Sequence, residues 1–499
     1  MAHESLRAFV HALRKAGELV EIGVPVNPYL EISEISDRVV KAGGPALLFT
    51  NVTGCAFPVL TNAFGTERRM AMAFGARSLD EVADRIRGLL DLRIPEGAID
   101  KISKLLSLRT LASALPKTVA HGSAQDVVID DPDLTKLPVL TTWPLDAGPF
   151  ITLPLVFTKD PQSGMQNAGM YRIQIYDRKT TGMHWQRHKH GRAQAQKWGD
   201  RVPVAIVVGA DPSIIYAATA PLPPIIDEVA FAGLLRGSAV KMVKCKTIDL
   251  KVPASAEFVI EGYVDNTDLR TEGPFGDHTG VYSLADQYPT FHAQCITHAR
   301  DAIFSATVVG KPPMEDAWIG KATERIFLPL LQMVVPEIVD MNLPVEGGFH
   351  NLAIVSIKKS YPGQANKVMY ALWGLGHMMM LTRTIVIVDH DIDVQDVRSV
   401  AWFVFNNMDP SRDLVIAPGP VDDLDHSGSY LPAFGHKLGI DATRKRADEG
   451  YGREWPPDIT MDEQTKRLVS ERWAEYGLAG ALERGIADAW SGQRPPRGK

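Results

Sequence analysis

The chain has 499 residues, 45% of them hydrophobic and 22% charged, with a formal net charge of −6. That length exceeds one simple core and predicts two or three domains, while the ordinary composition excludes wholesale disorder. A negative balance with no long basic run excludes a surface that tracks a nucleic-acid backbone.

Residues 5–16 place Leu6, Phe9, Val10 and Leu13 at helical spacing, and Gly17 ends the helix. Residues 18–26 read as a strand, and 30–41 as a helix with Ile32, Ile35 and Val39 on one face. Short strands at 46–49 and 58–62 flank a turn at 52–54, and 79–90 is helical again. These elements form an α/β module, followed by a Leu/Ser/Lys-rich connector over 93–118.

From Asp126 the texture changes. The runs 153–158, 171–176, 202–208, 258–264, 294–298 and 303–308 are short and apolar or alternating, with Gly and Pro turns between them. With one clear helix among them, at 227–235, they predict an antiparallel barrel or split barrel. A second α/β module begins near Thr323. It alternates helix 324–334, strand 352–357, helix 364–375, strand 384–388 and helix 394–408, which implies a mixed or parallel sheet. Residues 463–491 read as an amphipathic helix before a basic, Pro-rich stub, the kind of tail that packs on a partner subunit. The predicted domains are 1–118, 119–322 and 323–460, with a helix and tail over 461–499.

The first ten residues, MAHESLRAFV, lack the basic start and apolar core of a signal peptide. No run of about 18 uncharged apolar residues occurs, so no membrane-spanning helix is expected. The three cysteines, Cys55, Cys245 and Cys295, lie far apart without a CxxC, which points to a reduced, cytoplasmic setting and away from a zinc ribbon.

Residues 167–190 look built for chemistry. The segment 170–176 alternates Tyr171, Ile173 and Ile175 against Arg172 and Gln174, as a half-buried strand does. Residues 177–182 read as a turn, with Gly182 to take a positive φ. A second strand at 183–188 carries His184, Trp185, Gln186, Arg187 and His188. An Arg, an indole, amides and imidazoles on adjoining strands suit an anionic, planar ligand.

Three constellations stand out, each with a plainer alternative. Asn167, His184 and Glu228 supply an amide oxygen, an imidazole nitrogen and a carboxylate, a mixed donor set for Mn²⁺ or Mg²⁺; the alternative is a satisfied core histidine. Glu272 and Asp277 are separated by Gly-Pro-Phe-Gly, so a sharp bend can aim both carboxylates into one cavity. Paired acids beside an Arg can split their pKa values and leave one protonated near neutral pH; the alternative is a tight turn capped by Asp277. Lys359 follows the strand 352–357, where a lysine often meets a phosphate; the alternative for its neighbour Lys358 is a solvated edge. The segment Gly374-Leu-Gly376 is no dinucleotide fingerprint, and no P-loop, GxSxG elbow or HExxH occurs.

Five ordered blocks resemble the UbiD family of prenylated-FMN decarboxylases. They are Asn167-Ala-Gly-Met-Tyr-Arg172, Met183-His-Trp-Gln186, Asp227-Glu-Val-Ala-Phe-Ala-Gly233, Val252-Pro-Ala-Ser-Ala-Glu257 and Glu272-Gly-Pro-Phe-Gly-Asp277-His-Thr-Gly280. The likeness runs from residue 6 to about 445. It implies an N-terminal α/β domain, a central split β-barrel of flavin-reductase type and a C-terminal α/β domain, an α+β chain overall. It implies prenylated FMN lying against Met170, Tyr171, Arg172, His184, Trp185 and Gln186; Lys359, from its place at a strand end, is a further cofactor candidate. The family's Mn²⁺ (or Mg²⁺) ligands fall on Asn167, His184 and Glu228, with K⁺ beside the metal. Its catalytic network falls on Arg172, Glu272 and Asp277.

The resemblance implies reversible, non-oxidative decarboxylation of an aromatic, heteroaromatic or α,β-unsaturated acid through a covalent adduct with the cofactor. Arg172 would orient the carboxylate, Asp277 or Glu272 would deliver the proton, with Asp277 favoured because it ends the flexible Gly-containing loop, and Glu272 would hold Arg172. A flavin prenyltransferase would supply the cofactor, and a homodimer or homohexamer is expected. His184 stands where the ubiquinone branch often carries Arg, which places the chain nearer the menaquinone-pathway and catabolic aryl-acid branch. The alternatives are a 3-polyprenyl-4-hydroxybenzoate decarboxylase of quinone synthesis, a flavin oxidoreductase, or a non-catalytic decarboxylase subunit.

Overall fold

A computed structural model describes residues 3–90, 111–185, 190–422, 424–428, 431 and 433–478. Three main sheets carry the fold. The first has four strands in the order Leu19–Ile22, Ala46–Phe49, Val59–Thr61 and Phe304–Ser305. Helices Leu6–Lys15, Glu31–Lys41 and Leu79–Leu90 fall where the periodicity predicts. Ser5 caps the first by accepting from the Ala8 N–H, and Leu6, Phe9, Val10 and Leu13 are its buried face. The strand expected at 18–26 is shorter, Leu19–Ile22. The run at 303–308 is reassigned. Only Phe304–Ser305 is strand, and it pairs in parallel with Val59–Thr61, returning the chain to the N-terminal sheet.

The central sheet is antiparallel throughout. Its order is Thr180–Gly182, Asp286–His298, Phe258–Glu272, Arg201–Val208, Pro154–Lys159 and Gln166–Met170, with Val127–Ile129 added on Asp286–His298. Among the described residues the two ends of this path do not pair with each other. Alternate residues face two different cores: Ala205 and Val207 join one, Val204, Ile206 and Val208 the other. A strand buried on both faces reads as a continuous apolar run, which is why 202–208 is so legible. Two helices beyond the expected Glu228–Arg236 lie in this region, His190–Trp198 and Pro212–Ala217. The second carries a start signal that apolar periodicity alone overlooks: Asp211 caps it and Pro212 opens it.

The C-terminal sheet runs Ile338–Asn342, Leu352–Ile357, Thr384–Asp389, Phe434–Asp441 and Leu414–Pro420. Its middle pairings are parallel and its outer ones antiparallel. Ile385 and Ile387 face one core while Val386 and Val388 face another, so both faces are covered. The helix expected to start at 324 begins earlier, at Asp316, and runs to Val334. Of the expected terminal helix, Glu463–Glu471 is helical; residues beyond 478 lie outside the described residues. No described helix is long and apolar enough to cross a membrane.

Candidate active site

The segment 167–190 is not the simple hairpin its pattern suggests. The strand Gln166–Met170 starts earlier than expected, and the chain leaves the sheet at Tyr171 and Arg172 before the short strand Ile173–Gln174. The arms touch through one bridge, Ile175 to Thr181, and otherwise pair with other strands. The second strand is Thr180–Gly182, not 183–188. Gly182 therefore lies in a strand and serves a different end from the positive φ expected of it. A Cβ there would sit 2.6 Å from the Tyr176 hydroxyl and 3.3 Å from Glu272 Cγ, so glycine permits the close approach of Glu272. Past it, Met183 and Trp185 turn into the core, and His184 lies with its ring centroid 4.4 Å from that of Tyr288. Gln186 lies outside the described residues.

Arg172 emerges at the break between two strands, and two acids converge on it. Glu272 is the last residue of the fifteen-residue strand Phe258–Glu272. Gly273 follows at φ +87°, a conformation open to glycine but costly to other residues, and turns the chain so that Asp277 returns to the same guanidinium. Glu272 is bound by two guanidinium N–H groups of Arg172, at 2.8 and 3.1 Å, and Asp277 by a third at 2.5 Å. Arg172 also donates to Ser283 Oγ at 3.0 Å and sits 5.1 Å from the Phe275 ring centroid. His184 Nδ1 lies 3.0 Å from the second oxygen of Glu272. The backbone N–H and Nδ1 of His278 lie 2.7 and 2.8 Å from Asp277 Oδ1.

Electrostatics differ from the split expected of paired acids. Burial opposes the charge on Glu272, yet hydrogen bonds from His184 and Arg172 outweigh it and hold its carboxyl at about 2. Burial likewise opposes ionisation of Asp277, and the hydrogen bond and charge of His278, with Arg172, hold it well below the usual carboxylate range. Both acids are ionised because the Arg172 guanidinium binds both and each also bonds to an imidazole. The raised carboxyl is a third one, Asp316, pushed up to about 7 by burial.

A cavity of about 420 Å³ opens beside this network, within the roughly 300–1,000 Å³ of small-molecule sites. Its wall gathers Asn167, Met170, Tyr171, Arg172, His184, Glu228 and Asp277. Glu272 lies behind Arg172, and Trp185 packs edge-on against Tyr171, ring centroids 5.4 Å apart. A second cavity, of about 960 Å³, shares the Arg172 and His184 walls.

Lys359 stands apart from the expected cofactor residues. Its ammonium is buried against Glu449 at 2.7 Å, Thr443 Oγ1 at 2.8 Å and the Arg444 carbonyl at 2.8 Å. With three bonds already made inside the C-terminal region, it is a structural cation rather than a phosphate ligand. Sequence reasoning passed over Asp316, His350 and Asp422, which also line the first cavity. A lone His after Gly347-Gly-Phe349, far from the other site residues, gives no signal in sequence.

The donor set fits a divalent metal on two observations. The Asn167 side-chain nitrogen is buried with no hydrogen-bond partner. Amide nitrogen and oxygen are interchangeable by a flip, and an oxygen there is a hard-cation ligand. The Glu272 contact to His184 Nδ1 leaves Nε2 available for a metal and fixes the ring, the usual support of a metal-bound histidine. Glu228 opens the helix Glu228–Arg236, and its carboxylate accepts from the Ala168 N–H at 3.2 Å, next to Asn167. Among the described residues no three His, Cys, Asp or Glu side chains form a metal cage by themselves. An ion here would need a further ligand such as a phosphate.

Comparison with known proteins adds the family. Three models for 3-octaprenyl-4-hydroxybenzoate carboxy-lyase match in order: the N-terminal domain over residues 10–86, the Rift-related domain over 117–312 and the C-terminal domain over 317–442. An uncharacterized protein of Archaeoglobus fulgidus is 54% identical over 480 residues, 95% of this chain and 99% of the relative. Sedimentibacter hydroxybenzoicus vanillic acid decarboxylase in closed form superposes with a TM-score of 0.83 at 27% identity, covering 97% of this chain and 99% of that one. An evolved dimeric form of the UbiD-class enzyme HmfF from Pelotomaculum thermopropionicum, in complex with prFMN, gives a TM-score of 0.77 at 25% identity, covering 93% and 98%. With all three domain models matched in order, and Arg172 and Asp277 in one cavity wall with Glu272 behind them, the chain belongs to the UbiD family of carboxy-lyases.

Proposed function

We propose that this chain removes CO₂, reversibly and without net oxidation, from an aromatic, heteroaromatic or α,β-unsaturated carboxylic acid, using prenylated FMN. The observation that carries the reading is Arg172, clamped by Glu272 and facing the cavity beside Asp277. Loss of CO₂ from an sp² carbon leaves an unstabilised anion, and general acid help of about 10²–10⁴-fold does not overcome that alone. Prenylated FMN, when bound, supplies the electron sink. Arg172 orients the substrate carboxylate through a charge-assisted contact. Glu272 fixes the Arg172 fork, and Asp277, at the cavity wall, hands a proton to the carbon that has lost CO₂.

Asn167, His184 and Glu228 would hold Mn²⁺ (or Mg²⁺), with K⁺ as a second cation, and Met170, Tyr171 and Gln186 would border the flavin. On this reading 1–118, 119–322 and 323–460 are the three domains, and the open central sheet is a split barrel of flavin-reductase type. The tail 461–499 is a contact in a homodimer or homohexamer, and the setting is cytoplasmic. The branch reading, catabolic or menaquinone-pathway rather than ubiquinone, rests on His184.

The direct test is CO₂ release from a panel of benzoic, vanillic, 3,4-dihydroxybenzoic, 4-hydroxybenzoic and heteroaromatic acids. Protein co-expressed with a flavin prenyltransferase is expected to turn over at least one of them. The same protein made without the prenyltransferase is expected to be nearly inactive. Full turnover with ordinary FMN overturns the cofactor assignment.

Metal binding gives a second test. Glu228→Gln removes a charge at constant size, and His184→Ala removes a nitrogen. Each is expected to weaken metal affinity by about 10–100-fold or more. Mn²⁺ by elemental analysis and flavin by absorbance should fall together. Wild-type loading of both in both variants rules the trio out.

A further inference from the structure

Beyond Asp277 the hydrogen-bond chain continues. His278 Nδ1 meets Asp277 Oδ1 at 2.8 Å, and His278 Nε2 meets His350 Nε2 at 2.7 Å. The two imidazoles come from distant parts of the chain. His278 lies on the bend after Gly273, and His350 follows the turn Val345–Gly347 ahead of the strand Leu352–Ile357. Phe349 buttresses both, its ring centroid 5.3 Å from that of His278 and 5.7 Å from that of His350. Two ring nitrogens at hydrogen-bond distance must share a proton, since one has to donate and the other accept. Both rings line the first cavity.

Asp277 poses a problem that this chain of contacts answers. Its oxygens are taken by Arg172 on one side and by His278 on the other. A carboxylate so held is ionised and has no proton to give, yet each turnover, R–CO₂⁻ + H⁺ → R–H + CO₂, consumes one. We propose that His278 and His350 are a proton relay that recharges Asp277 between turnovers. The inference rests on the decarboxylase reading above, and both imidazoles act through Asp277 rather than on substrate.

The balance is simple. In the loaded state the pair carries three ring protons and one positive charge: Nδ1–H on His278, one proton between the two Nε2 atoms, and Nδ1–H on His350. The Nδ1 proton of His278 passes to Asp277, which becomes a carboxylic acid. The shared proton settles on His278 Nε2, and both rings are then neutral. Asp277 gives its proton to the product carbon and returns to carboxylate. The pair then takes up one proton from solvent, its N–H groups redistributing between the two rings, and returns to three ring protons and one positive charge with Nδ1–H of His278 again facing Asp277. The charges facing the pair favour the loaded state. Asp277 and Arg172 lie on one side, Asp316 at the head of helix Asp316–Val334, and Asp422 and Asp425 on the C-terminal loop. Burial lowers the affinity of His278 for a proton, but the bond to Asp277 and the charges of Asp277, Asp316 and Asp422 raise it overall. Burial and the neighbouring His278 push His350 down to about 4. One extra proton, held mainly on His278, is the arrangement a relay needs.

The experiment has two arms. In the full-length protein without cofactor, ¹⁵N-histidine NMR follows both rings, assigned from single variants. His350 is expected to stay neutral down to about pH 4 in wild type, and in His278→Gln its midpoint should rise toward the ordinary imidazole value. An unchanged His350 midpoint means the rings are uncoupled and overturns the relay. In the cofactor-loaded enzyme, with the acid found in the panel, His350→Ala is expected to lower kcat about 10–100-fold with KM within about twofold. The fall of kcat as pH rises through the raised His278 midpoint should shift, and added imidazole should restore rate to His350→Ala. His350→Gln, which keeps volume, should be slow and not rescued. Wild-type rate and pH profile in both variants, or a slow His350→Ala that imidazole does not raise, overturns the relay. If no acid turns over while the NMR coupling is present, the decarboxylase reading fails, and the relay's role with it.

Discussion

Arg172→Met is expected to abolish decarboxylation and to destabilise the protein together. The guanidinium makes two bonds to Glu272, one to Asp277 and one to Ser283. Removing it strands two buried carboxylates, and breaking a buried pair from one side costs about 3–5 kcal/mol. The pH range over which stability is lost should move upward. In the native protein Glu272 titrates at about 2, below its ordinary 4.5. Its contribution is therefore fully present above about pH 4.5 and is lost as pH falls toward 2. Without Arg172 both carboxyls rise, opposed only by the remaining bonds from His184 and His278, so the variant should lose more stability at neutral pH than at mildly acid pH. Thermal melts at pH 7.5 and 5 check this. Arg172→Lys keeps a charge but not the fork, so it should restore much of the stability and little of the turnover. Wild-type activity in Arg172→Met removes Arg172 from the mechanism.

The parts of that network are local signals, but joining them across about 100 residues comes from the family resemblance and not from spacing. Glu272 and Asp277 flank a Gly-Pro bend, and Arg172 sits in an otherwise apolar alternation. The helices at 6–15, 31–41 and 79–90 were legible for the same reason: periodicity is a property of neighbours. What failed depended on distant partners. Lys359 sits at a strand end, as a phosphate ligand would, but Glu449 from 90 residues further on takes its charge. The run 303–308 reads as another barrel strand, yet its pairing partner is Val59–Thr61. Gly182 reads as a turn glycine, yet it is required by the Tyr176 hydroxyl packed over it, with Glu272 close behind.

Asp316 and His350 illustrate the remaining limit. Asp316 opens a helix, where an acidic residue needs no special explanation. Its raised carboxyl comes from burial of the carboxyl group, which only the fold supplies. His350 gains meaning only when a loop of the C-terminal region meets the bend after Gly273. Spacing along the chain cannot encode a contact 72 residues long. The proposed metal trio lies between these cases: three scattered residues share one cavity wall, and the Asn167 side-chain nitrogen is buried without a hydrogen-bond partner.

Asp277→Asn is expected to leave folding and flavin binding intact while turnover falls by about 10²–10⁴-fold, the usual contribution of a general acid. Asp277 is favoured over Glu272 as donor by position: Asp277 lines the cavity, whereas Glu272 is fully buried behind Arg172 and bonded to His184. Asparagine keeps the shape and can accept from one neighbour, Arg172 or His278, but it has no acidic proton. The protonation step is reversible, so exchange of the product's ring hydrogen with D₂O should fall in parallel with turnover. Glu272→Gln should behave differently. It loosens the Arg172 fork and the His184 ring at once, so KM for the acid, flavin retention and kcat should all worsen. Steady-state kinetics beside product deuterium exchange in the two variants separates the roles. If Asp277→Asn exchanges and turns over like wild type while Glu272→Gln is dead, Glu272 is the donor, and the recharging path through His278 and His350 has no acceptor to serve.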